Sequence, residues 1–223
     1  MAMAPAAIID NYTAAVSSPE RLLRGASMEM EVEASLPRLK KTGRLQALRR
    51  ISEIGRITYE VLKFEGDGTV KKNVIARYLA AETEAAEKKD DKQSLAITPA
   101  NYKFKYKGER ELRGRMAHVF ELNPRKKRVG LFKGELWVDA ETFLPLRENG
   151  RFVKNPSIFL KRVEFVRDYE IRDGVAVPRE IQSTVDTRLV GKAELLIHFS
   201  NLSFEPKTQA AFLDCGAGLY TGM

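Results

Sequence analysis

Hydrophobic and polar residues alternate along most of this chain, and only two stretches take on the longer period of a helix. The plainest alternation runs from Ser27 to Leu36, where Met28, Met30, Val32, Ala34 and Leu36 interleave with Glu29, Glu31, Glu33 and Ser35. That is a strand with one apolar and one acidic face. Two further strands are predicted over 43–54 and 56–65, parted by Gly55. Before them, Ile8, Ile9, Tyr12 and Val16 share one face of a helix over 5–16, with Pro5 in its first turn.

A second helix is predicted after the turn Asp67-Gly68, with Thr69 as its N-cap and Val70, Val74, Ile75, Tyr78 and Leu79 on one face. It continues from Ala80 to Glu87 and closes on Lys88-Lys89, where cations suit the helix dipole, before a solvated loop at 90–93. From Asn101 to Phe204 the chain reads as strand and turn, with breaks near Gly108, Gly114, Asn123-Pro124, Ala140, Asn155-Pro156, Asp173-Gly174 and Gly191. The predicted class is α+β: a curved antiparallel sheet or half-open β-barrel of about ten strands with two lid or core helices. Full curling gives a barrel, and partial curling leaves an apolar trough that the helices fill or cover. One domain over 1–206 and a loosely attached tail over 207–223 complete this expectation.

Composition narrows the function more by exclusion than by suggestion. With 38 Lys+Arg against 30 Asp+Glu the net charge is +8, which favours an anionic partner, whether a membrane surface, an acidic protein or nucleic acid, without choosing among them. One cysteine, Cys215, and two histidines, His118 and His198, leave no intramolecular disulfide and no Cys- or His-built metal cage. The two histidines read as packed or surface side chains. No stretch approaches the roughly 20 apolar residues of a membrane-spanning helix. Neither a phosphate-cradling loop nor a nucleophile–base pair stands in a recognisable frame, so no catalytic residue, metal or cofactor is expected.

Two sets of residues are candidates for binding. The inward apolar row Met28, Met30, Val32, Tyr102, Phe104, Tyr106, Met116, Phe120 and Trp137 either lines a trough for acyl chains or forms a filled core. Trp137 stands among Lys133 and Glu135, which places it at the margin of the concave face. The run Arg125-Lys126-Lys127-Arg128 at a turn is the candidate patch for headgroups or a partner, against the plainer reading of a solvated hairpin tip. Tyr102, Phe104 and Tyr106 alternate with Lys103, Lys105 and Lys107, but rings and lysines then point to opposite faces, which disfavours nucleic acid.

The element order, together with Phe120-Glu121-Leu122-Asn123-Pro124, Gly134-Glu135-Leu136-Trp137-Val138-Asp139 leading to Thr142, and Asp173-Gly174-Val175-Ala176-Val177-Pro178, resembles the LolA/LolB-like superfamily of periplasmic lipoprotein carriers and sorting proteins. The resemblance implies a cell-envelope binding protein without catalytic activity, holding a lipid or the acyl chains of a lipoprotein on a concave apolar sheet. It also implies a periplasmic or other extracytoplasmic location after removal of a signal peptide, although the first residues lack the basic and apolar regions of an export signal. The alternative is a structural or regulatory module with a filled core whose basic face docks an acidic partner.

Overall fold

Pairing between the first and last strands sets the architecture. The computed structural model describes residues 3–17, 23–87, 95–155, 160–188 and 191–204. A helix α1 (Pro5–Ser17) leads into β1 (Ala26–Leu36), β2 (Lys41–Ile51) and β3 (Ile57–Gly66). Next come α2 (Gly68–Val70), a π-helical segment Lys71–Ile75 and α3 (Ala76–Glu87). The strands β4 (Tyr102–Leu112), β5 (Arg115–Pro124), β6 (Phe132–Asp139), β7 (Pro145–Phe152), β8 (Leu160–Arg172), β9 (Val175–Thr187) and β10 (Lys192–Phe204) follow. They form one open antiparallel sheet of 10 strands in the order β3-β2-β1-β10-β9-β8-β7-β6-β5-β4. This is the predicted curved, half-open architecture, with β3 and β4 as its two free edges.

Strand β1 realises the alternation seen in the sequence, every second side chain being buried from Ala26 to Leu36. Its apolar row faces the helices, and its acidic row faces out, where Glu31 pairs with Arg44 of β2. The boundaries of β2 and β3 lie up to three residues from those predicted, because the hairpin Ser52–Arg56 closes earlier than Gly55 alone suggests: Ser52 N–H donates to Arg56 O and Gly55 N–H to Ser52 O. Gly108 does not end a strand. Its φ of +98° accommodates a bulge, with the β4–β5 register shifting between Tyr106 and Glu109, and β4 continues through it.

The second helix begins on a different cap from the one predicted. Asp67, not Thr69, is the N-cap: its Oδ1 accepts the Thr69 N–H at 2.7 Å, and Lys41 Nζ stands 3.2 Å from the same carboxylate. The π segment gives the spacing its meaning. Ala76 N–H donates to Lys71 O, five residues back, so the wider turn brings Ile75 round beneath Val70, and both are buried. Gly43 of β2 makes room for this turn, since a Cβ there would stand 3.2 Å from both Val70 and Phe64. Lys88-Lys89, the loop at 90–93 and the tail 207–223 lie outside the described residues.

The apolar interior divides into two clusters. The first gathers Met30, Val32, Leu36, Leu45 and Ile197 beneath Val70 and Ile75. The second gathers Tyr102, Phe120, Leu122, Leu136 and Phe165 beneath Ile8 and Tyr12 of α1. At the far end of β5, Arg115 donates from Nε and Nη2 to Asp139 at 2.7 and 2.9 Å, and Thr142 adds its N–H and hydroxyl. Burial by itself would raise the Asp139 carboxyl, yet these donors hold it below the ordinary range. A depressed carboxylate contributes stability that is complete above its unfolded value, about 3.9, and is lost as pH falls through the lower folded value. Asp139→Asn is therefore expected to flatten the acid limb of a stability–pH curve measured by urea unfolding. An unchanged acid limb would show that Asp139 adds nothing to it.

Candidate functional site

The face of the sheet that carries the helices is apolar at both ends and polar between them. Strand period fixes which residues share it: Leu45, Ala47 and Arg49 on β2, Phe165, Arg167 and Tyr169 on β8, and Leu136 opposite Glu148 across β6 and β7. The cross-strand pair Glu148 and Arg167 then lies on this face too. Charged side chains among apolar rows are the residues that the sequence reading missed. Their signal was available as a charge falling on the apolar parity of a strand.

Arg49 and Glu82 tie α3 to the sheet. The Arg49 guanidinium donates to Glu82 Oε1 from Nη2 at 2.6 Å and from Nε at 3.2 Å, and its Nη1 lies 3.8 Å from Met28 Sδ. The Tyr59 hydroxyl donates to the other oxygen of Glu82. Burial would lower the Arg49 pKa, but Glu82 and Tyr59 reverse this and keep the guanidinium charged. Burial and then Glu82 push Tyr59 far above the ordinary tyrosine range, which fixes it as a donor. By contrast α3 buries none of its own side chains fully; Tyr78 and Leu79 pack against the first cluster while partly exposed.

The predicted trough residues do not form one row. Met30 and Val32 are buried in the half beneath the π segment and Met28 is buried beside Arg49, whereas Tyr102, Phe104, Tyr106 and Phe120 belong to the half beneath α1. In that second half aromatic contacts run across the strands, Tyr106 to Phe120 at 5.2 Å, Phe104 to Phe120 at 5.9 Å and Phe132 to Phe165 at 5.0 Å between ring centres. Met116 shares the parity of Phe120 but ends the strand with 47% exposure, outside the packed region. His118 is packed, with Nδ1 3.2 Å from the Tyr106 hydroxyl, and His198 is exposed beside Glu180.

Trp137 is a correction. It pairs with Val119 and Arg147, one residue out of phase with Leu136, so its ring lies on the outer face and not at the margin of the helix-bearing one. There Arg110 and Arg147 stand 5.6 and 6.0 Å from the ring centre, and Nε1–H donates to Glu135 at 3.1 Å. The polar neighbours Lys133 and Glu135 reflected this outer face. Any ligand on the helix-bearing face is accordingly expected to leave the tryptophan emission unchanged; a shift in its maximum on saturation would contradict the placement.

Arg125, Lys126, Lys127 and Arg128 form an exposed loop between β5 and β6, anchored by Arg125 Nε–H donating to Pro99 O at 2.8 Å. Around it the outer face of β4 to β7 adds exposed Lys103, Lys105, Lys107, Lys133 and Arg151. A separate open depression of about 820 Å³ lies on the outer face of β8, β9, β10, β1 and β2. Its carboxylates are engaged: Glu33 with Arg44, Glu65 with Lys63, Glu164 with Arg162 and Glu194 with Lys192. Among the described residues no group of three or more His, Cys, Asp or Glu is placed to hold a metal ion, and no helix is long and apolar enough to cross a membrane.

No family model and no curated protein matches the chain. Solved structures similar to it include a DUF1329 family protein from Desulfovibrio piger, 15% identical with a TM-score of 0.46, covering 93% of this chain and 97% of that one. A putative outer membrane lipoprotein-sorting protein domain from Vibrio parahaemolyticus is 13% identical with a TM-score of 0.43, covering 92% of this chain and 93% of that one. A LolA superfamily protein from Nitrosomonas europaea is 12% identical with a TM-score of 0.39, covering 92% of this chain and 95% of that one. The last two carry the names of the group that the sequence motifs resemble.

Proposed function

We propose that this chain is a non-catalytic binding protein of the cell envelope that holds a lipid, or the acyl chains of a lipoprotein, against the helix-bearing face of its sheet. The observation that carries this reading is the attachment of α3. It covers an apolar surface with partly exposed side chains and is fastened by the Arg49–Glu82–Tyr59 cluster, so its displacement uncovers the first apolar cluster without dismantling the sheet. The helices pack on both apolar clusters, and the ligand space belongs to the state in which α3 is displaced. Each acyl methylene buried there contributes about 0.8 kcal/mol, enough for useful affinity from part of one chain.

Native mass spectrometry of the purified protein, before and after incubation with fatty acids and a bacterial lipid extract, tests this reading. A stoichiometric lipid adduct is expected. Protein that stays free of adducts and ignores fluorescent lipids would sink the carrier reading.

A second reading has its own observation. The exposed cations Lys103, Lys105, Lys107, Lys133 and Arg151, continuous with Arg125 to Arg128, form a basic outer surface suited to an acidic partner while the interior stays filled. That association weakens with salt, whereas lipid uptake by apolar burial does not.

A further inference from the structure

Two arginines stand on the helix-bearing face, and they are engaged very differently. Arg49 is closed off: its side chain is 8% exposed, and the Nε and Nη2 donors converge on Glu82 while Nη1 meets the Met28 sulfur. Arg167 is open. Its side chain keeps 40% exposure, and it makes one long hydrogen bond, Nη1 to Glu148 Oε2 at 3.4 Å, with the Phe165 ring 4.6 Å from its guanidinium carbon. Among the described residues its other N–H groups have no hydrogen-bond partner. Tyr169 on its own strand and Tyr78 of α3 lie within electrostatic reach of it. Tyr12 of α1 is within electrostatic reach of Glu148 and Tyr169.

Arg167 thus marks the polar strip where the two apolar clusters meet. Phe165 beside it belongs to the second cluster, and Ile181 opposite it on β9 packs against the first. A guanidinium presents two parallel N–H donors along its free edge, which match the two oxygens of a carboxylate or phosphate. The planar cation resting on an aromatic ring is held for such contact without a full complement of its own hydrogen bonds. Tyr12, Tyr78 and Tyr169 are all pushed up, first by burial, so they stay neutral, and the Tyr78 and Tyr169 hydroxyls are already turned to Glu82 and Glu148. Glu148 occupies one edge of Arg167 and sets a limit on charge, since a second anion must share the cation with it.

Resting on the acyl-binding reading above, we propose that Arg167 is the head-group site for an anionic amphiphile, a carboxylate or phosphate at the end of an acyl chain. The apolar clusters on either side take the chain, and the guanidinium fixes its polar end. Neutral lipids lack the group that this strip is built to receive.

Hexadecanoate and hexadecan-1-ol, equal in chain length, separate the two parts of the idea when titrated at pH 8 by native mass spectrometry or by displacement of a fluorescent lipid. The wild-type protein is expected to bind hexadecanoate about tenfold more tightly than the alcohol, the effect of one charge-assisted contact. Arg167→Gln should abolish that preference by weakening hexadecanoate binding about tenfold, and Glu148→Gln should increase it, which guards against a folding artefact in the arginine variant. Equal binding of acid and alcohol by the wild type, or a preference that survives in Arg167→Gln, would overturn the head-group site and leave acyl binding standing. Binding of neither compound would overturn both. Displacement of hexadecanoate by millimolar acetate or phosphate alone would make this a small-anion site and would also refute the head-group assignment.

Discussion

Arg49→Leu is expected to lower the stability of the fold by about 3 kcal/mol and to release α3 before the sheet opens. The substitution keeps apolar volume but leaves Glu82 without its cation, and breaking a buried pair on one side costs about 3–5 kcal/mol. The lower end applies because the Glu82 side chain is 23% exposed, so water can partly solvate it, and Tyr59 still donates to it. Native-state hydrogen exchange distinguishes local from global loss. Amides of 76–87 should exchange faster in the variant while β5 and β6 keep their protection. Uniform acceleration across the sheet would mean that the cluster is a general stabiliser and not the fastening of α3.

Phe120→Ala should lower stability by about 3–5 kcal/mol, the range for deleting a fully buried aromatic ring. Its ring is 1% exposed and lies against Phe104 and Tyr106, so the cavity left behind opens beneath α1. Met116→Ala, four residues away on the same face of the same strand, should change stability by no more than about 0.5 kcal/mol because its side chain is already half in solvent. Urea titration of both variants beside the wild type measures the difference. Similar losses for the two would contradict the boundary drawn between packed interior and exposed strand end.

These two residues illustrate how far the sequence reading reaches. Period-two alternation identified β1, β4 and β5 and the faces of Met28, Tyr102 and Phe120, since parity is local and survives whatever the strand pairs with. Depth along the strand is not local: whether position 116 or 120 is covered depends on where α1 lands, and α1 comes from the opposite end of the chain. Trp137 was misassigned by one residue of phase, because a short strand with few apolar positions gives parity little support. Arg49, Glu82, Arg167 and Glu148 escaped notice for a different reason. A charge on an apolar face looks like noise until its partner from another element is known, and both pairs are non-local, joining β2 to α3 and β7 to β8. The N-cap of α2 was missed by two residues because Asp67 and Thr69 are both capping residue types.

The pairing of β1 with β10 has a bearing on how the chain acquires its structure. Ala26 is matched with Phe204, so the sheet becomes continuous only when its final strand is in place. Until then β1 to β3, with the turn at Val70, and β4 to β9 are two separate hairpin arrays built from neighbours in sequence. During synthesis each can organise as it emerges, while the seam between them waits for β10. The edges of β1 and β9 stand open in that interval, and they offer unsatisfied backbone groups to other chains. The carboxylates at Glu29, Glu31 and Glu33 along β1 place like charges on any second copy that pairs there in register, a form of protection that operates before the native neighbour arrives.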